Sequence, residues 1–74
     1  MARVYVSLDL ETTGLDPRRD KITEVGAVRF RGSRVLETFH RLVNPGCPIP
    51  HPIQHLTGIS DEEVAGAPPF EAIR

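Results

Sequence analysis

The stretch that decides the fold is residues 4–14, which read VYVSLDLETTG. Apolar residues alternate with other types at a period of two, and this alternation predicts a β-strand. The apolar face is expected to pack on a core, and the run is apolar enough to predict a central strand of a sheet. One face carries Val4, Val6, Leu8 and Leu10. The other face carries Tyr5, Ser7, Asp9 and Glu11.

The polar face of this strand places two carboxylates at positions i and i+2. The Cα atoms of Asp9 and Glu11 are expected about 6.6 Å apart, twice the rise per residue of a strand. Like charges this close disfavour joint ionisation, and a divalent cation bound between them offsets the repulsion. Mg²⁺ and Mn²⁺ prefer carboxylate oxygens as ligands. The alternative, a solvated strand face, is less favoured because the small, flexible turn Thr12-Thr13-Gly14 follows directly.

Four segments of the chain occur in the order and spacing of one enzyme family. DLETTG at 9–14 resembles the first exonuclease motif of the DnaQ-like, or DEDD, family of 3′–5′ exonucleases. ITEVGAV at 22–28 resembles the second strand of that family, and VNPG at 43–46 and HLTGIS at 55–60 resemble its next two landmarks. The sequence is similar to the exonuclease domains of bacterial DNA polymerase III (epsilon or PolC type) and of DinG-type helicases.

The resemblance implies an α/β chain that is the N-terminal part of a ribonuclease-H-like fold. In that part, a three-strand antiparallel meander is followed by short helices. Residues 22–31 and 35–43 are predicted as the second and third strands, joined by a hairpin turn at 31–34. These strands complete the meander that residues 4–14 begin.

The second half of the chain is predicted to hold only short helical segments. Four prolines in residues 44–52 are expected to exclude a helix there. A helical turn is expected at 53–56, and Ser60 with Glu63 has the pattern of a capping box. Residues 68–74 resemble the first turns of another helix, with proline at its start.

The chain is expected to be an incomplete domain. Its 74 residues allow at most one small domain. The family resemblance implies a site of four carboxylates and a general base, of which this chain offers Asp9 and Glu11. Residues 1–74 are therefore expected to be the truncated N-terminal portion of a 3′–5′ exonuclease domain, and the chain alone is expected to be inactive.

The resemblance also assigns roles to individual residues. Asp9 is expected to ligate both ions of a two-metal site and Glu11 the ion nearest the nucleophile, with Mg²⁺ or Mn²⁺ as the cofactor. Both residues are therefore the predicted catalytic residues. Glu24, on the neighbouring strand, is expected to have a structural role, with direct metal ligation as the less favoured alternative.

Substrate contacts are predicted at two places in the chain. The first is the turn Thr12, Thr13 and Gly14, where Thr12 is expected to seat the terminal nucleotide. The second is the segment of His55 and Thr57, which in the family lies near the bound nucleotide. A surface histidine that caps a turn remains an alternative for His55.

Composition adds limits on partners and location. The net charge is −1, so no global basic field indicates nucleic acid, although an acidic nuclease site agrees with that balance. Cys47 is the single cysteine, which fits a reducing compartment, and the cytoplasm with no membrane association is expected.

The predicted function is removal of nucleotides from DNA 3′ ends, as proofreading or end trimming. The expected partners are a single-stranded DNA 3′ end and a DNA polymerase or fused helicase. Two alternatives stay open: a non-catalytic module that binds nucleic acid or a polymerase, and a structural fragment that associates with itself through an exposed sheet edge.

Overall fold

The structure is a computed structural model, and it describes residues 3–73. Three strands come first and two short helices follow, as predicted, and residues 70–72 form one turn of 3₁₀ helix where the first turns of a helix were predicted over 68–74. None of the helices in this range is long and apolar enough to cross a bilayer. The elements are β1 (Val4–Thr12), β2 (Ile22–Arg31), β3 (Arg34–Leu42), α1 (His51–Thr57), α2 (Asp61–Ala65) and the 3₁₀ turn (Phe70–Ala72).

The three strands form one antiparallel meander in the order β1-β2-β3. Among residues 3–73, β2 is therefore the central strand and β1 is an edge strand. This corrects the central position predicted for β1 from its apolar content. A central strand needs a hydrogen-bonded neighbour on each side, and these residues supply a neighbour for β1 on one side only.

The hairpin between β2 and β3 has the predicted place in the chain. Its two-residue turn is formed by Gly32 and Ser33, and Gly32 has a φ of 58°, a left-handed conformation that costs little without a Cβ. β3 carries a bulge, because Val35 pairs with Phe30 and Glu37 pairs with Arg29. The extra residue between Val35 and Glu37 shifts the alternation of side chains between the two sheet faces.

The core lies in the second half of the chain. Ile49, Ile59 and Val64 form a buried cluster, and Leu42 at the end of β3 packs against it together with Ile53. This arrangement fixes the two short helices against the end of the sheet where β3 finishes.

The capping box predicted at the start of α2 is confirmed. The Glu63 N–H donates to Ser60 Oγ at 3.2 Å, and the Ser60 N–H donates to Glu63 Oε1 at 3.2 Å. Two N–H groups at this helix start are thus satisfied locally. Val64 follows directly, so the cap sets the direction in which α2 presents its buried residue.

α1 starts earlier than predicted. It begins at His51, with Pro52 in its first turn, although the prolines were expected to exclude a helix through residue 52. The first turn of a helix has no intrahelical acceptor for its N–H groups, so a proline there loses no hydrogen bond. The Pro50 carbonyl accepts from Ile53 N at 2.9 Å and from Gln54 N at 3.0 Å. α1 ends at Thr57, and the next residue, Gly58, has a φ of 77°.

The apolar face of β1 is exposed in residues 3–73. Val6 and Leu8 each retain 64% of their accessible surface, so the prediction that this face packs on a core is wrong for the described part of the chain. Phe70 and Ile73 approach one end of this face, around a cavity of about 240 Å³ that Leu8 also lines. The radius of gyration is 14.3 Å, whereas a compact chain of this length is expected at about 11 Å.

Candidate active site

The two predicted catalytic carboxylates lie on one face of β1, near its C-terminal end. Asp9 is directly opposite Gly26 on β2, and Glu11 is directly opposite Glu24. A register shift follows, because Thr12 pairs with Ile22, so the extra residue of this bulge is Thr23 on β2. The ladder with β2 therefore determines where both side chains point, as the alternation of the sequence predicts.

Within residues 3–73, no protein cation pairs with either carboxylate. The ion pairs within residues 3–73 join Arg29 to Glu37 and His40 to Glu24, and neither Asp9 nor Glu11 takes part in them. Asp9 is exposed and Glu11 is half-buried. Four carboxylate oxygens are thus presented on one face, a donor set that suits a hard divalent cation such as Mg²⁺ or Mn²⁺.

Additional ligands are needed for a complete metal site. No group of three or more His, Cys, Asp or Glu side chains in residues 3–73 is arranged to hold a metal ion. The donor set of Asp9 and Glu11 fits part of such a site.

The turn after the carboxylates is held by a hydrogen-bond network. Thr13 is 3% exposed, and its N–H donates to the Lys21 carbonyl at 2.8 Å. Its hydroxyl donates to Asp20 Oδ1 at 3.0 Å and accepts from the Lys21 N–H at 3.0 Å. Gly14 is required by space, because a Cβ there would lie 2.5 Å from Asp20 Oδ2. The start and the end of the β1–β2 loop are therefore joined directly.

Asp20 is the centre of this network, and sequence reasoning missed it. Its Oδ2 accepts from the Asp16 N–H at 2.8 Å. The backbone hydrogen bond from Asp16, the hydroxyl of Thr13 and the positive charge of Arg19 lower the pKa of Asp20 below its usual 3.8. The signal in the sequence is two aspartates four residues apart in a short loop with a proline, a composition typical of hydrogen-bonded turns.

The side-chain hydroxyls of the first predicted substrate segment are thus used in hydrogen bonds within the β1–β2 loop. The Thr12 hydroxyl donates to the Gly14 carbonyl, and the Thr13 hydroxyl is used twice within the loop. Thr12 and Thr13 remain predicted substrate contacts. With their hydroxyls engaged, they can contact a ligand through backbone atoms or through the methyl group of Thr12.

The second predicted substrate segment lies on α1. His55 is exposed and lines a groove of about 250 Å³ together with His51, Gln54 and Gly58. The Thr57 hydroxyl donates to the Ile53 carbonyl at 2.9 Å and accepts from Ile59 N at 3.2 Å. Asp9 and Glu11 are not among the residues that line this groove. The structure places the two predicted substrate segments on separate elements, and His55 and Thr57 stay predictions.

Glu24 makes the structural contact that the sequence predicts for it. Its Oε2 atom contacts Nε2 of His40 on β3, across the face that carries Asp9 and Glu11. No motif of the sequence includes His40. A signal exists only in the cross-strand register, which places His40 opposite Gly26.

Sequence comparison gives the family of the chain. A family model described as Exonuclease matches residues 6–74, so the chain belongs to this exonuclease family. It is 42% identical over 69 residues to the DNA polymerase III PolC-type of Caldanaerobacter subterraneus subsp. tengcongensis, covering 93% of this chain and 5% of that protein. It is 41% identical over 70 residues to the 3′–5′ exonuclease DinG of Bacillus subtilis, covering 93% of this chain and 8% of the relative.

The chain is also similar to a shorter relative and to a solved exonuclease. The chain is 39% identical over 69 residues to the DNA polymerase III subunit epsilon of Aquifex aeolicus, covering 93% of this chain and 34% of that one. It superposes on Exonuclease X, solved in complex with 5′ overhanging duplex DNA, with a TM-score of 0.80 and 26% identity, over 92% of this chain and 39% of that one. The predicted family and its ribonuclease-H-like α/β fold are confirmed, and the chain spans about a third or less of these curated relatives.

Proposed function

We propose that residues 1–74 form the N-terminal portion of a metal-dependent 3′–5′ exonuclease domain that removes nucleotides from DNA 3′ ends. One observation carries this proposal: within residues 3–73, Asp9 and Glu11 lie on one strand face and pair with no protein cation, directly before a turn fixed by hydrogen bonds. The stiff backbone of a paired strand supports a defined spacing of the two carboxylates, which metal-assisted hydrolysis requires.

Asp9 and Glu11 would hold Mg²⁺ or Mn²⁺ in this site. When bound in pairs, such ions activate a water molecule and stabilise the leaving oxygen of a phosphodiester. The chain itself positions the two carboxylates through the β1–β2 ladder and places the small residues Thr12 and Gly14 beside them. These two residues are proposed to contact the terminal nucleotide.

The chain alone is proposed to be inactive. Its described residues hold two acids of the site and no cluster of three metal-binding side chains. The chain matches between 5% and 39% of the length of the relatives and the solved exonuclease compared above, so the remaining ligands and the general base are proposed to come from further sequence.

The proposed partners follow the names of the relatives. A single-stranded DNA 3′ end is the proposed substrate, and a DNA polymerase III enzyme or a fused DinG-type helicase is the proposed context for proofreading or end trimming. A cytoplasmic location goes with this proposal.

The test is an exonuclease assay on the longest native polypeptide that contains these residues, with 3′-labelled single-stranded DNA and Mg²⁺ or Mn²⁺. We expect Asp9→Asn and Glu11→Gln each to lower turnover by several orders of magnitude, because each removes a ligand charge while the β1–β2 ladder is kept. Glu62→Gln, an exposed carboxylate of α2, is the control and is expected to retain the parent activity.

Three results would contradict the proposal in different ways. Near-normal turnover of either β1 variant would mean that the metal site is elsewhere. DNA binding without cleavage by the parent polypeptide would support the non-catalytic binding module instead. Release of nucleotides from the 5′ end would contradict the proposed polarity.

The exposed apolar face of β1 favours a second role, self-association of the chain. Val6 and Leu8 are exposed side by side on an edge strand, and such edges pair readily with other chains. We expect sedimentation to depend on the concentration of the 74-residue chain and Leu8→Lys to abolish that dependence. Leu15→Lys is the control, since Leu15 is 99% exposed in the β1–β2 loop. A monomer at every concentration would exclude this role.

A further inference from the structure

A third carboxylate lies beside the two proposed metal ligands. Glu24 is directly opposite Glu11 in the β1–β2 register, on the face that also carries Asp9. Side chains in directly opposite positions have Cβ atoms about 4.5–5.5 Å apart, and like charges there are destabilising. A free Glu24 carboxylate would therefore be within reach of a cation held by Asp9 and Glu11.

The Glu24 carboxylate has a partner on the far side of β2 instead. Its Oε2 atom contacts Nε2 of His40, a residue of β3. Because the strand order is β1-β2-β3, this contact draws the carboxylate away from β1 and from Glu11. The Glu24 side chain is 28% exposed and the His40 side chain is 65% exposed, so the contact lies at the surface of the sheet face.

Gly26 leaves the space that this contact needs. His40 is directly opposite Gly26, whereas the partner of Glu24 on β3 is Leu42, so the imidazole reaches Glu24 diagonally. Gly26 has no side chain to fill the position between Asp9 and His40. A Cβ there would meet a single atom within 4 Å, the Asp9 carbonyl oxygen at 3.9 Å, so the region above Gly26 is open.

We propose that His40 is a positioning residue that holds the Glu24 carboxylate off the divalent-ion site, so that Asp9 and Glu11 are the ligands that this face presents. The inference rests on the proposed function, because it takes Asp9 and Glu11 as the metal ligands. A third carboxylate would add one negative charge and two donor oxygens, which would tighten the binding of a divalent ion. His40 thus sets the affinity of the site by engaging the carboxylate that would compete for the ion.

If the contact between His40 and Glu24 only stabilises the sheet, the opposite result is expected. Loss of such a pair would loosen the β2–β3 ladder and weaken the arrangement of Asp9 and Glu11. Binding of a cation would then become weaker in a His40 variant. Release of Glu24 toward β1 would make cation binding tighter. The direction of the change in affinity therefore distinguishes the two roles.

The experiment is a titration of the 74-residue chain with Mn²⁺, in which electron paramagnetic resonance measures the free ion. We expect His40→Ala to tighten Mn²⁺ binding by up to about thirtyfold, the effect of bringing one unit charge to about 4 Å from a divalent ion in water. The double variant His40→Ala, Glu24→Gln is expected to return to the parent affinity, because the tightening depends on the released carboxylate. His40→Gln keeps an amide N–H that can donate to Glu24 and is expected to retain the parent affinity.

Thr38→Ala is the matched control, since it truncates another exposed, uncharged side chain of β3, and the parent affinity is expected. Weaker or unchanged binding in His40→Ala overturns the positioning role. Tightening that persists in the double variant also overturns it.

Asp9→Asn separates this failure from failure of the proposed function. If Asp9→Asn leaves Mn²⁺ binding unchanged, the ion site on β1 is wrong and the inference falls with it. If Asp9→Asn weakens binding while His40→Ala does not tighten it, the ion site stands and only the role of His40 is excluded.

Discussion

The helical half of the chain and the first strand differ in how they are held in place. Ile49, Ile59 and Val64 in the helical half are at most 5% exposed, and a capping box begins the helix that carries Val64. On β1, by contrast, Val6 and Leu8 are each 64% exposed. The helical half is therefore stabilised by its own apolar contacts, whereas β1 is held by its hydrogen-bond ladder with β2.

This difference matters because β1 carries the candidate active site. Asp9 and Glu11 are positioned by backbone pairing on one side and by the network around Thr13 and Asp20 at the end of the strand. Apolar burial contributes little to β1 within residues 3–73. We infer that the hydrogen bonds of the turn contribute more than apolar packing of β1 to the positions of Asp9 and Glu11.

Truncation of apolar side chains gives the largest expected contrast between the two regions. Ile59→Ala is expected to lower the free energy of unfolding by about 2–4 kcal/mol, since it leaves a cavity in the small core. Leu8→Ala is expected to change the free energy of unfolding by less than about 0.5 kcal/mol, because its side chain is already exposed to water. Urea unfolding followed by circular dichroism measures both values. Equal losses would show that the face of β1 is buried in solution.

Substitution in the turn tests the hydrogen-bond network that supports β1. Gly14→Ala is expected to destabilise the chain by about 1–3 kcal/mol, because the added Cβ displaces Asp20 from its hydrogen bonds. Gly66→Ala is the matched control, since a Cβ there meets nothing within 4 Å and the φ of −90° suits alanine. The same urea titration applies. Equal stability of the two variants would mean that the Asp20 network does not hold the end of β1.

The pH dependence of stability gives the smallest expected effect. The pKa of Asp20 is lowered in the folded chain, so its ionised form contributes stability that is fully present above pH 3.8 and is lost as the pH falls through the folded pKa. The parent is therefore expected to be more stable than Asp20→Asn at pH 6, with a difference that shrinks below pH 3.8. Unfolding curves of both chains between pH 2 and pH 6 check this. A constant difference would exclude the ionised network.

Much of the local structure could be predicted because its signals act over a few residues. The alternation in residues 4–11 places Asp9 and Glu11 on one face, and Ser60 with Glu63 indicates the capping box. The start of α1 was harder to predict, because a proline is tolerated in the first turn of a helix and not inside it.

The supporting contacts could not be predicted in the same way. The bond between Thr13 and Asp20 exists only when a loop closes, and the contact between His40 and Glu24 depends on the register of two strand pairs. A bulge between Val35 and Glu37 shifts that register by one residue, and no local pattern in β3 indicated it.

The sequence by itself determined the family, the three strands and the shared face of the two carboxylates, because period, turn residues and motif spacing are local properties of the chain. The tertiary structure alone decided that, within residues 3–73, β1 is an edge strand with an exposed apolar face and that Glu24 turns toward β3. These features depend on which distant residues meet, and burial and hydrogen-bond partners are set only when the strands pair.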